Sequence, residues 1–88
     1  MPIELLKVSN KFDRQYRKLS NKVKAAAKKR ELLFLANPFD PRLETHKLHG
    51  KDKILWSFSI TDKYRIKFIF LNEKSVLFLE IGTHDIYS

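Results

Sequence analysis

Three alternating apolar runs in the second half constrain the fold of this chain more than any other feature. In YRIKFIF, residues 64–70, every even-numbered position carries a large apolar side chain. Because side chains alternate between the two faces of a strand, this spacing predicts a β-strand with one apolar face. The runs at 54–60 and 75–82 show similar alternation, and polar turns at 61–63 and 71–74 join the three runs. The pattern predicts a three-stranded antiparallel meander.

The other face of the central run carries two cations. Arg65 and Lys67 alternate with its apolar positions, and Ser57 and Ser59 are predicted to share their face. A slip of one residue would bury both cations, so the register is well specified. Cations fixed on the open face of a sheet are suited to anion recognition. The same cations can instead form ion pairs with Glu80 on the last strand.

The first half predicts a strand and two helices. PIELLKVS alternates, with Ile3 and Leu5 on one side, and indicates a short strand. Residues 10–19 have apolar side chains at helical spacing, and residues 22–37 favour a helix that ends before a proline. We therefore expect a single α+β domain over residues 1–88. It comprises an N-terminal strand, a basic helical hairpin and the meander. The strands form one sheet, and the helices pack on one face of that sheet.

The charge of the chain indicates a polyanionic partner. It has 18 basic and 10 acidic residues, a net charge of +8. Between residues 10 and 30 only Asp13 opposes nine cations, which form either a solvated helix surface or a contact surface. The nine are Lys11, Arg14, Arg17, Lys18, Lys22, Lys24, Lys28, Lys29 and Arg30.

Other features narrow the class of protein. Cysteine is absent, which excludes disulfides and thiolate metal sites. The sequence has no apolar run of membrane-spanning length and no secretion signal, so we expect a cytoplasmic protein without a membrane partner. No motif indicates a metal or another cofactor.

Residues capable of chemistry lie in a long connection at 38–50, on the strands and in the tail. The last run places Phe78 and Glu80 on one side, and His84 joins them if the strand continues past Gly82. RNA cleavage by 2′-hydroxyl attack needs a base, an acid and cations, which histidine, arginine and lysine provide without a metal. Residue types alone predict a small basic domain that binds an anion, because each candidate also has a structural explanation. The candidates are His46, Lys47, His49, Arg65, Lys67, Glu80, His84, Asp85 and Tyr87.

The ordered motifs of the chain resemble the RelE/ParE superfamily of toxins from toxin–antitoxin pairs. A leucine-and-glycine motif before the second strand is matched by Leu48 and Gly50, in HKLHG. A tyrosine-arginine pair is matched by Tyr64-Arg65, and the final Gly-x-His by GTH at 82–84. No single piece is very specific, but the ordered set covers nearly the whole chain.

The resemblance implies a ribosome-dependent endoribonuclease that cuts messenger RNA, and it is closest in detail to YafQ-like and HigB-like members. It implies that His84 acts as general acid or base and that His46 is the second proton-transfer residue. Arg65 would stabilise the transition state, and Tyr87 would stack on a base or orient the nucleophile. The further RNA-binding residues would be Lys47, His49, Lys67, Asp85, Arg14, Arg17, Lys18, Lys28 and Lys29.

The resemblance also implies binding partners for the chain, and it leaves two alternative functions open. An acidic, partly disordered antitoxin would bind the toxin, which alone would be a monomer, and the ribosome and messenger RNA would be its targets. The chain departs from the YafQ-like site at Ser59 and Lys63, and Tyr87 follows His84 by three residues where four are common. The alternatives are a ParE-like inhibitor of DNA gyrase and a non-catalytic binding module of the same fold.

Overall fold

The chain forms two helices and a five-stranded sheet. A computed structural model describes residues 2–50 and 54–87. No helix among these residues is long and apolar enough to cross a bilayer. The elements are β1 (Leu5–Val8), α1 (Asn10–Arg17), α2 (Asn21–Ala36), β2 (His46–Lys47), β3 (Trp56–Ser59), β4 (Arg65–Asn72) and β5 (Ser75–Gly82), with 3-10 turns at Pro41–Leu43 and His84–Tyr87.

Both helices begin at serine caps. The hydroxyl of Ser9 accepts a hydrogen bond from the backbone N–H of Phe12 at 2.9 Å, and that of Ser20 accepts one from Val23 at 3.2 Å. Each cap satisfies a backbone donor that has no partner within its helix. Helix α2 ends at Ala36, before the proline, so the predicted helical hairpin is confirmed.

The strand order is β1-β5-β4-β3-β2. Strands β3, β4 and β5 pair antiparallel as predicted, whereas β1 pairs parallel to β5 at one edge. At the other edge, β2 pairs antiparallel to β3. Strand β2 was not predicted, because its two residues, His46 and Lys47, are too few to show a period.

The core lies between the helices and one face of the sheet. Phe34 of α2 is fully buried, and its ring centroid lies 4.5 Å from that of Phe58, 4.9 Å from Phe68 and 5.5 Å from Phe78. Such aromatic clusters contribute dispersion and edge-to-face attraction beyond the burial of apolar area. The predicted α+β fold with helices on one face of one sheet is confirmed.

The predicted orientation of the first strand is wrong. Leu6 pairs with Val76 and packs against the core, whereas Leu5 is 46% exposed on the opposite face. Ile3 is buried, but it precedes the strand and donates its backbone N–H to Leu35 at the end of α2. The alternation of buried and exposed side chains in this strand therefore does not include Ile3.

The tail does not continue the last strand. Strand β5 ends at Gly82, and the turn His84–Tyr87 folds back against the sheet. Ile86 is buried under this turn, and a Cβ atom at Gly82 would lie 2.8 Å from its Cγ2. Glycine at position 82 therefore allows the tail to approach the strand closely.

Candidate functional site

A row of polar residues crosses the sheet face that the helices leave open. The register pairs His46 with Ser57, Ser57 with Lys67, and Lys67 with Glu80. Directly paired residues project to the same face of a sheet. We call His46, Ser57, Lys67 and Glu80 the polar row, and the face that carries it the open face.

A β-bulge places Glu80 in this row. Phe68 pairs with Phe78, whereas Lys67 pairs with Glu80, so Leu79 is an extra residue on β5. The prediction that Phe78 and Glu80 lie on one side is wrong, because the bulge reverses the alternation between them. Phe78 is buried in the core, while Glu80 lies on the open face.

The tail turn brings a second histidine to the polar row. The hydroxyls of Tyr87 and Ser57 are 2.6 Å apart, and Lys67 Nζ donates to the carbonyl of Ile86 at 2.8 Å. The rings of His84 and Tyr87 meet edge-to-face with centroids 5.6 Å apart. A link of neighbouring residues therefore runs from His46 through Ser57 and Tyr87 to His84, and its first step is the strand register.

The hydrogen bond of His46 identifies its reactive nitrogen. Its ring is exposed, and Nδ1 lies 3.0 Å from the backbone carbonyl of Glu44. A carbonyl can only accept, so Nδ1 carries the hydrogen in this contact. In the neutral ring Nε2 then keeps its lone pair and can take up a proton.

Arg65 is anchored to the turn between β3 and β4. Its Nη1 donates to the Ser59 hydroxyl at 2.8 Å and to the carbonyls of Thr61 at 2.5 Å and Tyr64 at 3.2 Å. Within the described part of the chain these bonds use Nη1, so Nη2 and Nε of the guanidinium fork stay available for a phosphate. The alternative pairing of Arg65 with Glu80 does not form, because Glu80 pairs with Lys67.

Glu80 joins two lysines. Its carboxylate lies 2.5 Å from Lys67 Nζ and 2.9 Å from Nζ of Lys11, in the first turn of α1. Partial burial raises the pKa of Glu80, but the hydrogen bonds and charges of Lys67 and Lys11 outweigh it and hold the pKa below its usual value. The position of Lys11 cannot be predicted from the sequence, since no local pattern shows that α1 packs beside β5.

A shallow groove of about 350 Å³ borders the polar row. Leucine side chains form its apolar walls, and the two lysines and Glu80 form its charged part. The lining residues are Ser9, Lys11, Leu55, Lys67, Leu79 and Glu80.

The remaining predicted residues lie away from the polar row or at its border. Lys47 pairs with Trp56, so it projects to the other face, and His49 is exposed in the following loop. Asp85 is exposed in the tail turn beside His84. The predicted RNA-binding cations of the helical layer are all exposed; they are Arg14, Arg17, Lys18, Lys28 and Lys29.

Comparison with known proteins identifies the fold. No protein-family model and no curated protein matches the sequence, but solved structures do. A chain of the archaeal RelE–RelB complex from Pyrococcus horikoshii has 15% identity and a TM-score of 0.73, covering 94% of this chain and 96% of that one. The DinJ–YafQ toxin–antitoxin complex of E. coli gives 18% identity and a TM-score of 0.71, covering 98% and 97%.

A third structure agrees. The YoeB/ParE toxin from Agrobacterium tumefaciens has 14% identity and a TM-score of 0.78, covering 92% of this chain and 99% of that one. The chain therefore has a small α+β fold similar to that of these three structures. This likeness of fold to RelE, YafQ and YoeB/ParE structures agrees with the resemblance that the motifs predicted.

Proposed function

We propose that this protein is the toxin of a toxin–antitoxin pair and that its open face cleaves messenger RNA on the ribosome. The observation that supports this most is the link from His46 through Ser57 and Tyr87 to His84, beside Lys67. Two groups that can transfer protons near neutral pH lie at either end of this link. A purely structural sheet face has no need of two exposed histidines there.

In the proposed reaction, the 2′-hydroxyl attacks the adjacent phosphorus and the bond to the 5′-oxygen breaks. Nε2 of His46 removes the 2′-hydroxyl proton, since the ring donates through Nδ1 to a carbonyl. His84, as imidazolium, protonates the departing 5′-oxygen. The products are a 2′,3′-cyclic phosphate and a 5′-hydroxyl, so atoms and charge balance without an added metal.

Cations of the open face stabilise the phosphate in this proposal. Arg65 keeps part of its guanidinium fork available while Nη1 fixes its position, which is the preorganisation that transition-state stabilisation requires. Lys67 adds positive charge close to Tyr87, which orients the nucleophile or stacks on a base. His49 and Asp85 contact the RNA at the border of the site, and Lys47 contacts it from the edge strand β2.

The helical layer binds ribosomal RNA in this proposal, and the protein acts in the cytoplasm. Cations on that layer provide sequence-independent contacts to phosphates. The RNA-binding cations are Arg14, Arg17, Lys18, Lys28 and Lys29.

An acidic, partly disordered antitoxin is the proposed protein partner of a toxin that is otherwise monomeric. Similar solved structures are complexes named RelE–RelB and DinJ–YafQ, which supports the pairing by analogy of fold. The net charge of +8 fits a partner of opposite charge.

A non-catalytic binding module is the second candidate. Two observations favour it: Arg65 is tied to the β3–β4 turn, and Glu80 neutralises Lys67. The resemblance to YafQ-like members also implies acidic or histidine site residues at two positions that are Ser59 and Lys63 in this chain.

Messenger RNA cleavage in a purified translation system, mapped by primer extension, tests the proposal. We expect cuts within codons when ribosomes are present and few when they are omitted. Cuts in both reactions would show that the protein is a nuclease that does not require the ribosome. If the folded protein makes no cuts, the nuclease proposal fails, and a DNA supercoiling assay then separates a gyrase inhibitor from a binding module.

A further inference from the structure

Three aromatic side chains form a cluster on the helix side of the sheet, where the chain leaves α2. The ring centroid of Phe39 lies 5.6 Å from that of Trp56 and 6.0 Å from that of Phe70, and the centroids of Trp56 and Phe70 are 5.6 Å apart. Phe39 meets Trp56 edge-to-face and stacks at 23° on Phe70. We call these three residues the outer aromatic cluster.

Phe39 is exposed although its backbone is fixed. It is 54% exposed, whereas the other two rings are half-buried and pack against the core. The side chain of Asn37 accepts a hydrogen bond from the backbone N–H of Phe39 at 3.0 Å, and the Thr45 hydroxyl donates to the carbonyl of Pro38 at 2.5 Å. An exposed ring on a fixed turn is preorganised for a ligand, because binding then orders little of the chain.

A cavity of about 530 Å³ opens beside the outer aromatic cluster. Pro38, Phe39 and Phe70 line its apolar part, and Asn72 of the β4–β5 turn lies at its polar end. The amide oxygen of Asn72 accepts from the backbone N–H of Lys74 at 2.9 Å, so the NH₂ group of the same amide can donate to a ligand. An apolar cavity of this volume with few polar groups has the properties of a ligand site.

Lys47 adds positive charge beside the cluster. It is exposed, and it pairs with Trp56 in the register, so both project to the same face of the sheet. The preceding residue, His46, pairs with Ser57 and projects to the open face. Because β2 is an edge strand, a ligand chain that bends around this edge contacts His46 on one face and Lys47 on the other.

The side-chain types favour a nucleic acid base as the occupant. Surfaces for single-stranded nucleic acid combine aromatic rings, on which bases stack, with cations that contact phosphates. The outer aromatic cluster and Lys47 provide both. The other exposed large apolar side chains of the described residues are aliphatic, so an exposed aromatic ring is particular to this place. The net charge of +8 attracts a polyanion more than a neutral aromatic ligand.

We propose that the outer aromatic cluster is a stacking site for a base of single-stranded RNA, with a neighbouring phosphate at Lys47. The base stacks on Phe39, and Asn72 donates to its polar edge. The strand then continues around β2 to the polar row, so the stacked base belongs to a nucleotide beyond the cleaved bond. This last consequence rests on the proposed function, whereas the stacking itself does not.

The fluorescence of Trp56 reports on this site directly, because the chain has a single tryptophan. The full chain is titrated with a short oligodeoxyadenylate and with an abasic strand of the same length and backbone. Neither strand has a 2′-hydroxyl, so neither is cut by the proposed reaction. We expect oligodeoxyadenylate to quench Trp56, to shift the amide NMR signals of β3 and residues 37–40, and to bind at least about fivefold more tightly than the abasic strand.

Matched variants test the two kinds of contact. Phe39→Leu should weaken oligodeoxyadenylate binding about tenfold and leave the abasic strand unchanged, because leucine stays apolar but offers no aromatic face. Leu32→Ala is its control, since Leu32 is 69% exposed on α2. Lys47→Gln should weaken both strands and lower the slope of log affinity against log salt by about 0.7, the value for one phosphate of a single strand. Lys22→Gln, also exposed on α2, is the control for the lost charge.

Several results would overturn the proposal. Equal affinity for the two strands would show that charge alone accounts for binding. An unchanged affinity in Phe39→Leu, or an equal loss in Leu32→Ala, would exclude the cluster as the stacking site, with chemical denaturation confirming that both variants are folded. Trp56 fluorescence that depends on protein concentration without nucleic acid would assign the cluster to a second copy of the chain. None of these measurements depends on cleavage, so the proposed nuclease is tested separately.

Discussion

At the scale of single residues, the two cations of β4 have different structural partners. Arg65 holds the β3–β4 turn through Nη1, whereas Lys67 pairs with Glu80. Alternation in the sequence predicts correctly that both lie on one face. It does not predict which cation pairs with Glu80, because the bulge at Leu79 sets that register.

The ion pair of Glu80 should make stability depend on pH. The folded state lowers the pKa of Glu80 below its ordinary value of 4.5, so ionised Glu80 stabilises the fold near neutral pH. This contribution is lost as pH falls through the folded pKa. Glu80→Gln should therefore reduce the free energy of unfolding by about 1 kcal/mol near neutral pH and less in acid. Urea unfolding at several pH values measures the difference, and a difference that stays constant would contradict this assignment.

The Tyr87–Ser57 contact should contribute more to the free energy of unfolding than an exposed hydrogen bond does. Ser57 is fully buried, so Tyr87→Phe removes the 2.6 Å hydroxyl partner of a group that water reaches poorly. We expect Tyr87→Phe to lower the free energy of unfolding by about 1–2 kcal/mol. A double-mutant cycle with Ser57→Ala measures the coupling. Additive losses from the two substitutions would show that the contact contributes nothing specific.

At the scale of elements, the caps and the meander follow from the sequence, whereas β2 and the tail turn do not. Serine before a helical apolar pattern is a local signal, and alternation defines a strand of eight residues well. Strand β2 has two residues and the tail turn has four, so neither shows a period. Both elements carry candidate histidines, and therefore the fold was easier to predict than the candidate site.

The two caps should differ in strength. The Ser9 hydroxyl caps α1 and also donates to the carbonyl of Leu79 at the bulge, at 2.7 Å, whereas Ser20 makes an exposed cap alone. Ser9→Ala should lower the free energy of unfolding by about 2 kcal/mol, and Ser20→Ala should lower it by about 1 kcal/mol or less. Chemical denaturation of the two variants gives the comparison. Equal costs would mean that the bond to the bulge adds no stability.

At the scale of the whole molecule, the basic helices and the polar row lie in different layers. The helices cover one sheet face, and the histidines lie on the other. One strand of RNA therefore does not lie flat on both surfaces. In the proposed function, the helical cations contact the ribosome and the open face contacts the messenger RNA.

This division predicts a specific salt effect. Lys28→Ala combined with Lys29→Ala should weaken ribosome binding and lower the slope of log affinity against log salt by about 2, if each lysine contacts one phosphate. The cleavage rate at saturating ribosomes should not change. Ribosome pelleting over a salt series measures the slope. An unchanged slope would show that these lysines do not contact ribosomal phosphates.

The central claim is that two histidines transfer protons on the open face, and single-turnover cleavage of ribosome-bound messenger RNA tests it most directly. His84→Ala and His46→Ala should each lower the rate at least about a hundredfold, since general acid–base groups contribute at this scale. Glu73→Ala, an exposed substitution in the β4–β5 turn, should cleave like the wild type. Ribosome binding is measured for each variant as a check on folding. Wild-type rates in both histidine variants would contradict the account, and a loss in only one would leave a single histidine in the chemistry.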